Sequence, residues 1–227
     1  MRGTTPEMRA SGAGRVAALT FDDGPGPATE PLLDLLAEHA LPATFCLVGA
    51  NLRGRDAARL VRRMVAEGHV LADHAMTYDD LGAWEPARVE SDLCATTRAI
   101  RDAAGDPAVP VPFFRAPNGA WGSSAAVAAS LGMRPLAVAH TIDDWLTQDV
   151  PTLVGHLRAA LTPGGLLLAH DGGGDRGGTV AALRQVLPEW LADGWRFTRP
   201  VGWDAGRSCS PGARPQSHPS QVSPLTR

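Results

Sequence analysis

Short apolar runs alternate with helix-spaced apolar residues along most of this chain. Val16, Ala17, Ala18 and Leu19 form a continuous run, which predicts a buried strand over 15–21. Leu32, Leu33, Leu35 and Leu36 then share one face of a helix predicted over 31–39. The alternation continues with a strand over 43–48 and a helix over 56–67 that carries Leu60, Val61, Met64 and Val65. Gly68 stands where a helix C-cap belongs, and a short strand follows over 70–73. A long helix over 85–104 (Val89, Leu93, Ile100) is closed by Gly105 and Pro107. Further strands are predicted over 111–115, 134–139, 166–170 and 195–199, with helices over 125–131, 154–161 and 179–192.

About seven β/α repeats imply parallel strands covered by helices. No glycine-rich dinucleotide fingerprint follows any strand, so the expected α/β fold is a closed or partly closed barrel in a single domain, in preference to an open doubly wound sheet. Residues 1–13 and 204–227 have few apolar anchors. They are expected as a flexible N-terminus and a disordered tail around an ordered domain at 14–203.

Composition narrows the function classes. The chain has 227 residues, 44% of them hydrophobic, enough for one sizeable core. A net charge of -3 gives no reason to expect nucleic acid or an anionic membrane as partner. Cys46, Cys94 and Cys209 are odd in number and lack metal-knuckle spacing, which suits a reduced chain. The N-terminus shows no apolar leader and no later run could span a bilayer, so a cytoplasmic protein is expected. No obligate protein partner is evident from the pattern.

Polar residues gather at the C-terminal ends of the predicted strands. Asp22 and Asp23 follow the first, His74 the third, Arg115 the fourth and His170 the sixth, with Asp143 and Asp144 shortly after the fifth. In parallel α/β folds these ends share one face, where active sites are built. Two adjacent carboxylates repel, so a site that keeps both ionised needs a cation or hydrogen-bond donors. One can ligate a metal while the other takes a proton from water. Asp22-Asp23-Gly24-Pro25 also suits an ordinary surface turn, and taken alone that reading is the commoner one. His170 follows an apolar run and could donate a proton to a leaving amine. Arg115, after Phe113 and Phe114, is costly to bury without an anion, and Asp22 is the candidate.

In order, these segments resemble the polysaccharide deacetylase family, carbohydrate esterase family four, over roughly residues 16–199. Thr20-Phe21-Asp22-Asp23-Gly24-Pro25 fits its first motif and Arg115-Ala116-Pro117-Asn118-Gly119 its third. Asp144-Trp145 fits the end of the fourth and Leu168-Ala169-His170 the fifth. The resemblance implies a distorted (β/α)7-type barrel and a metal-dependent hydrolase that removes an N-acetyl group from an amino sugar or glycosylated small molecule. It makes Asp22 the general base, held by Arg115, and His170 the general acid, oriented by Asp144. Asp23 and His74 become ligands of a divalent metal, zinc with cobalt or nickel as alternatives. The Asn118 N–H becomes an oxyanion donor, and Trp145 and Leu168 line the acetyl pocket.

Two positions depart from the family pattern. The second motif, His-x-x-x-His, reads His74-Ala75-Met76-Thr77-Tyr78, and a phenol is a poorer zinc ligand than imidazole. Tyr78 could coordinate as a phenolate, Asp79 or Asp80 could swing in, or water could complete the shell. Loss of the metal, leaving a non-catalytic carbohydrate-binding relative, is the alternative function. Thr141 stands where the fourth motif begins with aspartate.

Overall fold

The computed structural model describes residues 5–203. Within them eight strands and six α-helices alternate except that β6 directly follows β5: β1 (Val16–Gly24), α1 (Thr29–Glu38), β2 (Ala43–Leu47), α2 (Arg55–Ala66), β3 (Val70–Asp73), α3 (Pro86–Ala104), β4 (Phe113–Phe114), α4 (Ser124–Ser130), β5 (Arg134–Pro135), β6 (His140–Thr141), α5 (Val150–Ala160), β7 (Leu166–His170), α6 (Gly177–Ala192) and β8 (Arg196–Phe197). The sheet runs β5-β4-β3-β2-β1-β7-β6, with β8 paired to the start of β1, and every named pair is parallel. This is the expected single-domain distorted barrel. Strand β6 was not anticipated, and the strand expected over 134–139 shrinks to two residues with Leu136 paired outward to Glu7.

Side-chain alternation divides the sheet into two faces. Leu19, Phe21, Phe45, Leu47, Leu71, Phe114 and Leu167 pack with the helices in the larger core. Ala18, Cys46, Val70, Ala72, Phe113 and Leu166 point the other way into a smaller helix-free cluster that fills the barrel. Beyond that apolar plug the inward positions turn polar, with Thr20 and Asp22 on β1 and His170 on β7. Among the described residues, no helix is long and apolar enough to cross a membrane.

The N-terminal segment departs from the flexible stretch expected over 1–13. Glu7 pairs in parallel with Leu136, while Arg9 and Ala10 pair antiparallel with Gly165 and Pro200. The segment therefore closes the gap between β5 and β7, and it buries Ala10 among the barrel residues. Sheet edges expose unpaired N–H and C=O groups that attract such pairing, and a backbone requirement of this kind leaves no hydrophobic signature. The expected tail at 204–227 lies outside the described residues, as do residues 1–4.

Candidate active site

Four strand ends bring the expected polar residues together. Asp22 and His170 are register partners on β1 and β7, so their side chains leave the sheet on the same face. His74 follows β3 and Arg115 follows β4; both are buried. Asp144 lies in the loop after β6 and is fully buried.

Arg115 fixes the first carboxylate. Its Nη1 donates to Asp22 Oδ1 at 2.6 Å and to Thr20 Oγ1 at 2.9 Å, while Nε donates to the Leu136 carbonyl at 3.1 Å. Burial pushes the Asp22 pKa up, but the charges of Arg115, His74 and His170 and the Cys46 thiol hold it below the ordinary value. Asp22 is therefore an ionised acceptor.

Asp144 fixes the imidazole on the facing strand. Its Oδ1 lies 2.6 Å from His170 Nδ1, and Oδ2 accepts both the His170 backbone N–H at 2.9 Å and the Thr179 hydroxyl at 2.9 Å. A carboxylate accepts only, so Nδ1 carries hydrogen and Nε2 is the ring atom left for chemistry. Burial lowers the His170 pKa, yet the hydrogen bond and charge of Asp144, aided by Asp22 and Asp23, raise it overall. Trp145 meets the imidazole edge-on at 5.4 Å, with its ring about half exposed. Leu168 occupies the same face of β7 two residues before His170.

His74 is oriented from behind. Its Nδ1 lies 2.8 Å from the carbonyl of Arg115, which only accepts, so Nδ1 carries hydrogen. Nε2 faces Asp23 Oδ1 at 3.5 Å and Asp22 Oδ2 at 3.7 Å. Burial pulls the His74 pKa down, but Asp22, Asp23 and the Arg115 carbonyl more than offset this. Asp23 adopts a left-handed φ of 73° that turns its side chain off the strand path. Gly172 packs so closely on the Asp23 carbonyl that any Cβ there would overlap it.

Ion-paired Asp22, carboxylate-backed His170 and the facing Asp23–His74 pair follow the order of the family motifs, and the sequence model described as polysaccharide deacetylase matches residues 9–136. A chitooligosaccharide deacetylase of Bradyrhizobium sp. (strain ANU 289) is 41% identical over 189 residues, 77% of this chain and 84% of that protein. The chain belongs to the polysaccharide deacetylase family. A peptidoglycan-N-acetylglucosamine deacetylase of Bacillus cereus is 32% identical over 187 residues, 81% of this chain and 85% of that protein. A crystal structure of a peptidoglycan N-acetylglucosamine deacetylase with a bound N-oxidanyl-benzamide matches with a TM-score of 0.76. Its sequence identity is 26%, and the match covers 84% of this chain and 88% of that one. The chain is thus a hydrolase of this deacetylase family.

Whether this deacetylase can hold a divalent cation depends on its donors. Asp23 Oδ1 and His74 Nε2 are 3.5 Å apart, close to the ~3.3 Å between two ligands of a tetrahedral zinc with bonds near 2.0–2.1 Å. No third His, Cys, Asp or Glu completes such a cluster among the described residues. Tyr78 is about half exposed, and its hydroxyl sits 2.8 Å from Asn51 Nδ2. Asp79 is hydrogen-bonded by Thr77 and Asp80 by the Gly82 N–H. Asp23 and His74 therefore offer two donors at a spacing compatible with one cation, with no third such side chain beside them among the described residues.

Several supporting residues had no separate signal in the sequence. Thr20 relays between Arg115 and the Leu167 carbonyl, and Thr179 braces Asp144. Arg176 donates to the carbonyls of Asp144, Gly172 and Gly173, tying the loop after His170 to the loop that carries Asp144. Asn118, at φ 54°, donates its side-chain N–H to the Tyr78 carbonyl at 3.2 Å. Thr141 is exposed, and its hydroxyl accepts the Asp143 N–H at 3.3 Å.

Proposed function

We propose that this chain hydrolyses the N-acetyl amide of an N-acetylated amino sugar, with Asp22 as general base and His170 as general acid. The observation that carries this reading is the register pairing of Asp22 with His170, each backed by its own buried partner. Asp22 and His170 leave two adjacent strands on one face, which supports a proton acceptor and a proton donor acting together. Arg115 keeps Asp22 ionised and turned inward, so it takes a proton from the attacking water. His170 then gives its Nε2 proton to the leaving nitrogen as the carbon–nitrogen bond breaks, and acetate and a free amine result.

Asp23 and His74 would hold a divalent cation, zinc with cobalt or nickel as alternatives, which would polarise the acetyl carbonyl and make water more acidic. The Asn118 backbone N–H serves as a further donor to the developing oxyanion. Leu168 and Trp145 flank the acetyl methyl. The relatives named for chitooligosaccharide and for peptidoglycan N-acetylglucosamine support an N-acetylglucosamine-containing substrate.

The test is acetate release from N-acetylated chitooligosaccharides by the metal-supplemented protein, alongside the Asp22→Asn variant. Turnover that disappears in the variant supports the proposal. Failure across chitooligosaccharides, peptidoglycan fragments and smaller N-acetylated sugars would count decisively against it.

A further inference from the structure

Tyr78 is the only tyrosine in the chain, and it is anchored at both ends of the residue. Its hydroxyl lies 2.8 Å from Asn51 Nδ2, the same nitrogen that donates to the Asp23 backbone carbonyl at 2.8 Å. A side-chain amide carries two hydrogens, so one Asn51 group serves both oxygens at once. The phenol is thereby tied to the main chain of Asp23 and not to its carboxylate. At the other end, the Tyr78 carbonyl accepts from Asn118 at 3.2 Å. The ring between them is 45% exposed.

The neighbouring carboxylates are also engaged. Asp79 Oδ2 accepts the Thr77 hydroxyl at 2.9 Å, and Asp80 Oδ1 accepts the Gly82 N–H at 2.7 Å. His74 presents the opposite picture. It is 4% exposed, its Nδ1 is spent on the Arg115 carbonyl, and its Nε2 is turned towards two carboxylates. A ring nitrogen aimed at carboxylate oxygens requires positive charge between them, supplied by a proton or by a cation.

We infer that Asp23 and His74 are the only side chains among the described residues that ligate the cation, and that Asn51 holds Tyr78 at the rim as a contact for the sugar. The inference rests on the deacetylase reading of the site. It implies a cation bound more weakly than by a three-residue set, with its other places open to water and substrate oxygen. It also gives Tyr78 an amphipathic face of the kind that packs against a sugar ring.

Equilibrium dialysis of the full chain against zinc or cobalt(II), combined with near-ultraviolet difference spectra, tests this directly. Because Tyr78 is the sole tyrosine, a tyrosinate band on metal binding can come from no other residue. The expected result is one cation per chain, lost in Asp23→Ala, with no tyrosinate band. Tyr78→Phe keeps the cation affinity within about twofold, and Tyr78→His tightens it about tenfold or more by adding an imidazole ligand. Tyr78→Ala raises KM for an N-acetylated chitooligosaccharide while leaving the cation affinity unchanged. A tyrosinate band, with weaker binding in Tyr78→Phe, would overturn the inference and leave the deacetylase reading intact. No cation binding by the unmodified chain would overturn both the inference and the metal-dependent reading.

Discussion

Asp144 grips His170 at two points, through the ring Nδ1 at 2.6 Å and the backbone N–H at 2.9 Å. Ring and main chain are therefore referenced to the same buried carboxylate, which sets both the tautomer and the direction of Nε2. Thr179 and Arg176 hold that carboxylate's residue in turn.

The alkaline limb of the activity profile follows from this pair. In the proposed mechanism His170 must be protonated to act as the acid, and despite burial its pKa is raised by Asp144, Asp22 and Asp23. kcat should therefore persist above the ordinary imidazole range and fall as pH rises through the raised value. Asp144→Asn removes the charge and should move this limb to lower pH. His170→Ala should lose about 10²–10⁴-fold in kcat, the usual scale for a positioned acid. A limb unmoved in Asp144→Asn would mean that another group titrates there.

The Asp22–Arg115 pair should behave as a unit in stability as well as in catalysis. Both partners are nearly fully buried, and removing one leaves the other charge without compensation. Arg115→Met should cost about 3–5 kcal/mol in urea unfolding, the range for breaking a buried ion pair. Adding Asp22→Asn to that variant should restore part of the loss, although neither protein should turn over substrate. Equal stability of the single and double variants would show that the pair is not coupled.

Gly172 and Gly155 predict opposite outcomes for the same substitution. A Cβ at Gly172 would overlap the backbone carbonyl of Asp23, which cannot rotate away. Gly172→Ala should cost about 1–3 kcal/mol and lower cation affinity by displacing Asp23. Gly155 lies within α5 with nothing inside 4 Å of its added Cβ. Gly155→Ala should stabilise by about 0.5–1 kcal/mol, since alanine is the better helix former. Thermal melts of both variants, with dialysis for the first, read the contrast.

The strand ends that build the site were legible because parallel β/α order puts them on one face. The Asp22–Arg115 contact was also legible, because an arginine after two phenylalanines demands an anion. The N-terminal closure was not, since Glu7 and Ala10 are held by backbone hydrogen bonds that any side chain permits. Strand β6 escaped for the same reason: His140 and Thr141 are exposed, and only pairing with Leu167 and Leu168 defines them. The position of Tyr78 depended on Asn51, a residue 27 positions away that no local pattern connects to it. Asp171 was hidden behind its neighbour His170, although it is fully buried and the histidine is not.

Asp171 leads to a prediction about stability and pH. It accepts the Thr29 hydroxyl at 2.5 Å, and that hydroxyl accepts the Gly26 N–H at 2.8 Å, so the pair braces the turn after Asp22 and Asp23. Burial, the main cause, pushes the Asp171 pKa up to about 7; Thr29 opposes the shift while Asp22 and Asp23 add to it. An unfolded aspartate releases its proton near about pH 4. Between about pH 4 and about pH 7 the folded chain retains a proton that the unfolded chain has lost. Stability from this group is therefore fully present below the unfolded pKa and falls as pH rises, by up to about 1.4 kcal/mol per pH unit, levelling off above about 7. Asp171→Asn keeps the shape and removes the titration, so its stability relative to the unmodified chain should improve steadily from about pH 4 to about pH 7. Urea midpoints at matched pH values measure that difference, and a difference constant across the range would rule out a titrating Asp171.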